Sequence, residues 1–149
     1  MIGLLQRVQS ASVTVEGKMI AAIGAGILLL VGVQKGDTER EATRLLERVL
    51  GFRIFPDAEG KMNFSLRQIG GGLLLVPQFT LAADTKKGAR PGFSAAADPA
   101  EGERLFELMA VSAARQHTPV ACGRFATNMQ VALVNDGPAT FWLEAGPSA

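Results

Sequence analysis

Apolar positions recur along this chain with two periods, and the switches between them predict the order of its elements. A long strand is predicted over "LLQRVQSASVTVEG". Glu16-Gly17-Lys18 makes a tight turn, "MIAAI" a short strand, Gly24-Ala25-Gly26 a second turn, and "ILLLVGV" at 27 to 33 a buried strand, so the first third reads as a β-meander. A helix follows. Thr38 and Glu41 have capping-box spacing, Leu45, Leu46, Val49 and Leu50 form an apolar stripe, and Gly51 stands where the helix stops. The chain then turns through Pro56-Asp57 and Gly60, passes "GKMNFSL", and meets a triple glycine at 70 to 72 ahead of the strand "LLLV". The next stretch, "PQFTL", continues as strand, with Gln78 and Thr80 on one face and Phe79 and Leu81 on the other. A turn-rich loop covers Ala82 to Ala97. The second helix has Asp98 as N-cap, Pro99 at its first position, Glu101 at its third, and Leu105, Phe106, Leu108, Met109 and Ser112 at helical spacing.

Past Pro119 the strand period returns. In "NMQVALV", Met129, Val131 and Leu133 alternate with Gln130, Ala132 and Val134, and "TFWL" is apolar and β-favouring. Between them Pro138 removes a ladder N–H and fixes φ, while Gly137 carries no side chain, so a bare and stiff piece of main chain interrupts the strand. The sum is an α+β chain dominated by strands, with two main helices.

At 149 residues this is one domain, 1–149, long enough to bury roughly 70% of its extended surface. It shows no repeat of fixed period, low-complexity tract or linker. With 15 Lys+Arg against 14 Asp+Glu it lacks the global charge of a strongly basic nucleic-acid binder, so any RNA contact is local. The single cysteine, Cys122, excludes an internal disulfide, and the opening residues lack a secretory signal. The longest apolar run is far short of the roughly 20 residues that cross a bilayer. This profile predicts a cytoplasmic protein without a membrane partner.

Several familiar motifs fail. Gly24 and Gly26 begin a dinucleotide fingerprint, but Leu29 occupies the third glycine position and a strand follows where a helix is required. The triple glycine has no Lys-Ser/Thr after it. His117, the only histidine, sits near the end of the second helix, where the dipole and an exposed position explain it. Cys122 has neither a second cysteine nor a histidine at useful spacing, so no metal site is expected. With no evident base for a side-chain nucleophile, an enzyme built on this chain draws activation from its substrate and supplies position and oriented dipoles.

Two segments are poorly explained by packing. In "VPQFTLAADTKKGARPGFS", Gln78 and Thr80 either face solvent on a half-buried strand or belong to a site. The loop after them offers Lys86, Lys87, Arg90 and Phe93, which suit a phosphate and a stacked base as well as they suit an ordinary solvated loop. The second segment holds Asn135, Asp136, Gly137, Pro138 and Thr140, all of which also suit a hairpin turn.

These segments, with "MIGLLQRVQSASVTVEG", "ERVLGFRIFPDAEGKMN", "RPGFS" and "GRFATNMQVALVNDGPATFW", closely resemble the D-aminoacyl-tRNA deacylases along essentially the whole chain. The family has Ser-Gln-Phe-Thr-Leu where this chain has Pro77-Gln78-Phe79-Thr80-Leu81. Relatives that correct L-alanine have Ala at the position of Phe79, so Phe79 marks the D-amino-acid branch. The resemblance implies a homodimer of β-barrel-like subunits. A cis Gly137-Pro138 of one chain enters the pocket of the other, braced by Arg7, and its carbonyls exclude an L side chain while admitting D-amino acids and glycine.

It also implies ester hydrolysis of D-aminoacyl-tRNA, in translation quality control. Gln78, Phe79 and Thr80 hold the carbonyl, and the terminal adenosine 2′-hydroxyl assists the attacking water, with Thr80 as nucleophile the variant reading. The adenine is placed near Phe93 and Met129, and acceptor-stem phosphates near Lys86, Lys87 and Arg90. The partner is the aminoacyl-tRNA 3′ end, and neither metal nor other cofactor is implied. The competing readings are a noncatalytic RNA 3′-end binding dimer and a structural dimer with a swapped turn.

Overall fold

The computed structural model describes residues 1–146. The first strand, β1 (Ile2–Val15), organises the sheet. One of its edges takes both β2 (Lys18–Ile23), opposite residues 11 to 15, and β3 (Gly26–Gly32), opposite residues 2 to 8. The predicted meander is therefore corrected: β2 does not lie between β1 and β3, and the two shorter strands run end to end along β1, whose 14 residues are long enough to carry both. Gly24-Ala25-Gly26 is the corner between them.

Helix α1 (Glu39–Gly51) begins at the Thr38 cap. Its apolar stripe buries Leu45, Leu46, Val49 and Leu50 completely, each contributing roughly 1.5–3 kcal/mol. The short strands β4 (Phe55–Pro56) and β5 (Met62–Phe64) form a separate hairpin whose turn is closed by the Asp57 carboxylate, which accepts from the N–H groups of Glu59 and Lys61. One further helical turn, α2 (Leu66–Ile69), was not predicted, although Ser65 and Gln68 carry capping-box spacing and Gly70 ends it in the left-handed conformation. Then β6 (Gly72–Pro77) pairs parallel to β3 and β7 (Val120–Cys122) parallel to β6, with α3 (Pro99–Gln116) between them in sequence. The last strand, β8 (Gln130–Glu144), covers the other edge of β1 along nearly its whole length.

The strongly curled sheet, with β2 brought back against β6 and β7, makes a nearly closed, barrel-like body. This fixes two cores. Leu5, Ile27, Leu29, Leu73 and Leu75 face α1 and α3, whereas Val8, Val13, Leu28, Leu74 and Val76 fill the inside of the curl against Met129, Val131 and Leu133. Because both faces of β3 and β6 are buried, these strands read as continuous apolar runs.

Two expectations near the ends of strands are corrected. The stretch Gln78 to Leu81 is not strand: the ladder stops at Pro77, the Gln78 N–H makes the last bond to β3 at the Val31 carbonyl (2.7 Å), and Phe79–Ala82 coils into a 3₁₀ turn. Phe79 and Thr80 are therefore both exposed rather than on opposite faces. Gly32 makes room for this turn, since a Cβ there would lie 2.9 Å from that of Leu81. The second correction concerns residues 134 to 141. They form no hairpin, because β8 pairs with the same strand before and after Pro138. No helix among the described residues is long and apolar enough to cross a membrane.

The α1 cap gives a pH prediction. Glu41 is buried and accepts from the hydroxyl (2.5 Å) and the N–H (2.7 Å) of Thr38, bonds that hold its carboxyl below the ordinary value of 4.5. A carboxyl depressed in the folded state stabilises above its unfolded pKa and loses that contribution as pH falls through the folded one. The Tm of wild type should exceed that of Glu41→Gln at pH 7, with the gap closing below about pH 4.5. A gap that stays constant down to pH 3 in thermal melts would contradict this.

Candidate active site

The β1–β8 register places Gln6 opposite Thr140 and Val8 opposite Asn135, so a single residue, Arg7, faces the excursion 136 to 139. The chain bulges there because Pro138 offers no ladder N–H. Arg7 is only 9% exposed and is bonded from several sides. Its Nε donates to the Asp136 carbonyl (3.1 Å) and its Nη1 to the Ile54 carbonyl (2.5 Å), and the Asp136 carboxylate lies 3.5 Å from Nε. Asn135 closes the bulge from below. Its Nδ2 donates to the carbonyls of Arg7 (3.2 Å) and Ala139 (3.1 Å), and its Oδ1 accepts the Ala139 N–H (3.0 Å). Ala139 is buried, whereas Gly137 and Pro138 are exposed. The Gly137–Pro138 peptide is cis, and Gly137 has φ +125°, a conformation that essentially only glycine adopts.

A separate assembly forms at the ends of β3 and β6. A cavity of about 550 Å³ is lined by Gln78, Phe79, Met129 and Val131 together with Phe106 and Phe125. The Gln78 amide donates to the Thr80 hydroxyl. The Phe79 ring is 57% exposed and leans on that of Phe93, centroids 5.1 Å apart. Lys86 lines a neighbouring cavity of about 470 Å³ with Gln34, Leu81, Asp84 and Trp142. Lys87 and Arg90 are exposed and line neither cavity. The structure thus brings Gln78, Phe79, Met129 and Phe93 together, with Thr80 in the same turn, and places Lys86 in the second cavity, which Leu81 of that turn also lines. Within one chain, Gly137 and Pro138 line neither cavity.

What this arrangement can do follows from its donors. Phe79 and Thr80 open the 3₁₀ turn, so their N–H groups have no partner inside it, whereas the Leu81 N–H is taken by the Gln78 carbonyl. His117 offers no base here. It is half-buried rather than exposed, caps α3, and its Nε2 lies 2.6 Å from the Gly71 carbonyl. Burial pushes the Cys122 thiol up, which keeps it protonated and poorly nucleophilic. Among the described residues no three His, Cys, Asp or Glu side chains gather closely enough to hold a metal ion.

The far wall of the larger cavity was missed in the sequence. It is built by Pro99, Gly102 and Phe106 of α3 facing Phe125. One signal was present: Gly102, inside a helix where glycine costs about 1 kcal/mol, marks a close approach, and a Cβ there would lie 3.3 Å from the Phe125 ring.

The model of the family described as D-Tyr-tRNA(Tyr) deacylase matches residues 4–144. The chain belongs to this family. The D-Tyr-tRNA(Tyr) deacylase relatives include the D-aminoacyl-tRNA deacylase of Thioalkalivibrio sulfidiphilus (strain HL-EbGR7), 60% identical over 147 residues, which are 99% of each chain. That of Escherichia coli O1:K1 / APEC is 57% identical over 144 residues, 97% of this chain and 99% of its own. Among solved structures, the c-Myc DNA Unwinding Element Binding Protein superposes with a TM-score of 0.93 at 36% identity, covering 99% of this chain and all of its own. A probable eukaryotic D-amino acid tRNA deacylase, at 18% identity and a TM-score of 0.79 over 96% of this chain and 98% of its own, shares the fold of this D-Tyr-tRNA(Tyr) deacylase family member.

Proposed function

We propose that this chain is a D-aminoacyl-tRNA deacylase, hydrolysing the ester of D-aminoacyl-tRNA, and of glycyl-tRNA as a side activity, to free amino acid and tRNA. The observation that carries this is identity of about 60% along the full length of proteins bearing that name. The local geometry supports it. An aminoacyl ester is already reactive, so the protein's task is to stabilise the carbonyl oxygen as it becomes tetrahedral, and the N–H groups of Phe79 and Thr80 are donors of the right kind. Met129 and Phe93 flank them for the terminal adenosine, and Lys86, with Lys87 and Arg90 beyond it, for the phosphates.

Chirality is read in this proposal by main chain. Gly137 and Pro138 are held between two anchored carbonyls, that of Asp136 bound by the buried Arg7 and that of Ala139 bound by the Asn135 amide, so an L side chain meets unyielding backbone and a D side chain points away. Because these residues are exposed and lie apart from Gln78–Thr80 within one chain, the filter acts in the pocket of a second copy. The half-exposed Val134 and Trp142 of β8 give such a homodimer an apolar face. Equilibrium sedimentation tests the dimer, and a monomer at assay concentration would contradict the shared site.

The activity is tested by incubating the protein with D-tyrosyl-tRNA and L-tyrosyl-tRNA. Selective loss of the D ester is expected, whereas protection of both esters would indicate an RNA-end binding module instead. In the mechanism, the 2′-hydroxyl of the terminal adenosine assists the attacking water, and Thr80 positions the ester. The Thr80 hydroxyl already accepts from Gln78 and has no base beside it, so Thr80→Ala should keep kcat within about 10-fold of wild type. A 2′-deoxy substrate should be turned over at least about 100-fold more slowly, within the range of general-base effects. The reverse pattern would make Thr80 the nucleophile.

A further inference from the structure

The exposed face of α1 carries Arg40, Arg44 and Arg48, spaced i, i+4, i+8, so that they form one ridge about 12 Å long. The fold gains nothing from the first two. Arg40 lies in the first turn, at the positive end of the helix dipole, and each arginine repels the next one along the ridge. The acidic side chains that could neutralise them are committed elsewhere. Glu39 is bound by Arg104 of α3 (3.0 Å), and Glu41 is turned inward onto Thr38. Glu47 shares the exposed face, yet among the described residues it forms no ion pair with any of the three. Arg48 donates to the Glu144 carbonyl (3.1 Å), which fixes the last arginine of the ridge at the end of β8.

The segment that precedes the ridge also meets the loop beside the site. The segment leading into α1 is stitched to the 82–97 loop, with Lys35 N–H bonded to the Ala95 carbonyl (2.9 Å), and Gln34 lines the cavity that Lys86 enters. Lys35 and Lys86 are thus exposed cations on the two joined segments, in a chain whose overall charge is nearly balanced.

We propose that this ridge docks the phosphate backbone of an RNA duplex, with successive arginines, about 6 Å apart along the helix, meeting successive phosphates of one strand. The deacylase reading contributes only the identity of the duplex, the acceptor stem adjoining the 3′ end held in the site.

The test is fluorescence anisotropy with an uncharged RNA hairpin ending in single-stranded CCA, titrated across salt concentrations, for wild type, R40Q/R44Q and R40K/R44K. The glutamine pair should weaken hairpin binding and lower the slope of log affinity on log salt by about 2, whereas the lysine pair keeps the wild-type slope. The Tm of the glutamine pair should equal or exceed that of wild type, because the ridge is a cost to the free protein. With D-tyrosyl-tRNA its KM should rise about 10-fold at unchanged kcat, a phosphate-contact effect of the size set by that slope. An unchanged slope, or an equal loss on the CCA trinucleotide alone, overturns the proposal. So does wild-type hairpin binding combined with lost binding to phosphatidylserine vesicles, which would assign the ridge to a membrane surface. If wild type hydrolyses no D-tyrosyl-tRNA, the deacylase reading fails while the hairpin titration still decides this one.

Discussion

Gly137→Ala is expected to lower kcat/KM for D-tyrosyl-tRNA by at least about 100-fold while the protein stays folded, since displacing a positioning group by about 1 Å costs on that order. The cause is local and can be traced atom by atom. A Cβ on residue 137 would lie 2.6 Å from Arg7 Nη2, a distance no carbon–nitrogen contact tolerates. Arginine ends usually swing aside, but this one is buried and tied by Nη1 to the Ile54 carbonyl and by Nε to the Asp136 carbonyl. Residue 137 also sits at φ +125°, where an L side chain is strained whatever room it has. The substitution must therefore move the 136–138 main chain, the very atoms proposed to read handedness. Because the bulge is exposed and the β1–β8 ladder holds on both sides of it, the circular dichroism spectrum and melting cooperativity should be little changed. Wild-type turnover by a folded Gly137→Ala protein would sink the filter proposal. Lost D activity with newly gained L activity would support it most directly.

The same bulge shows what a sequence can and cannot reveal. Its ingredients were legible: alternation before it, β-favouring residues after it, and a proline that no ladder accepts. Its shape was not, because Arg7, the residue that braces it, lies 129 positions away in the chain. Local turn chemistry therefore suggested a hairpin where long-range pairing imposes a bulge. The 3₁₀ turn at Phe79 failed for a related reason. Period-2 alternation through "PQFTL" is real, but a strand ends where its neighbours stop offering partners. Val31 opposite Pro77 is the end of the β3–β6 ladder, a fact held in β3 and not in the segment itself. Elements fixed by their own residues were read correctly. The Thr38–Glu41 cap, the α1 stripe and the Pro99 start of α3 all depend on neighbours within a few positions.

Gly26→Ala should abolish the folded state at 37 °C or destabilise it by more than about 4 kcal/mol, a cost reserved for a few mechanisms, of which backbone overpacking is one. At the corner between β2 and β3 the chain passes directly against the start of β6. A Cβ on residue 26 would fall 1.9 Å from the Gly72 carbonyl oxygen and 2.6 Å from its nitrogen. These are main-chain atoms, so no rotamer relieves the overlap. The parallel β3–β6 pairing begins at this contact, Gly26 opposite Gly72, and a Cβ on Gly72 would in turn meet Ile23 at 2.8 Å. Two strands that both bury Leu side chains on each face must separate to admit one methyl group, opening both cores at once. Gly24, two residues earlier in the same corner, is the control. Its Cβ would meet nothing within 4 Å, so Gly24→Ala should leave Tm within about 2 °C of wild type, as surface changes do. Comparable melting of the two variants would mean that the close approach of Gly26 to Gly72 does not hold in solution, and with it the register that sets Pro77 at the end of β6 and aims the Phe79–Ala82 turn at the cavity.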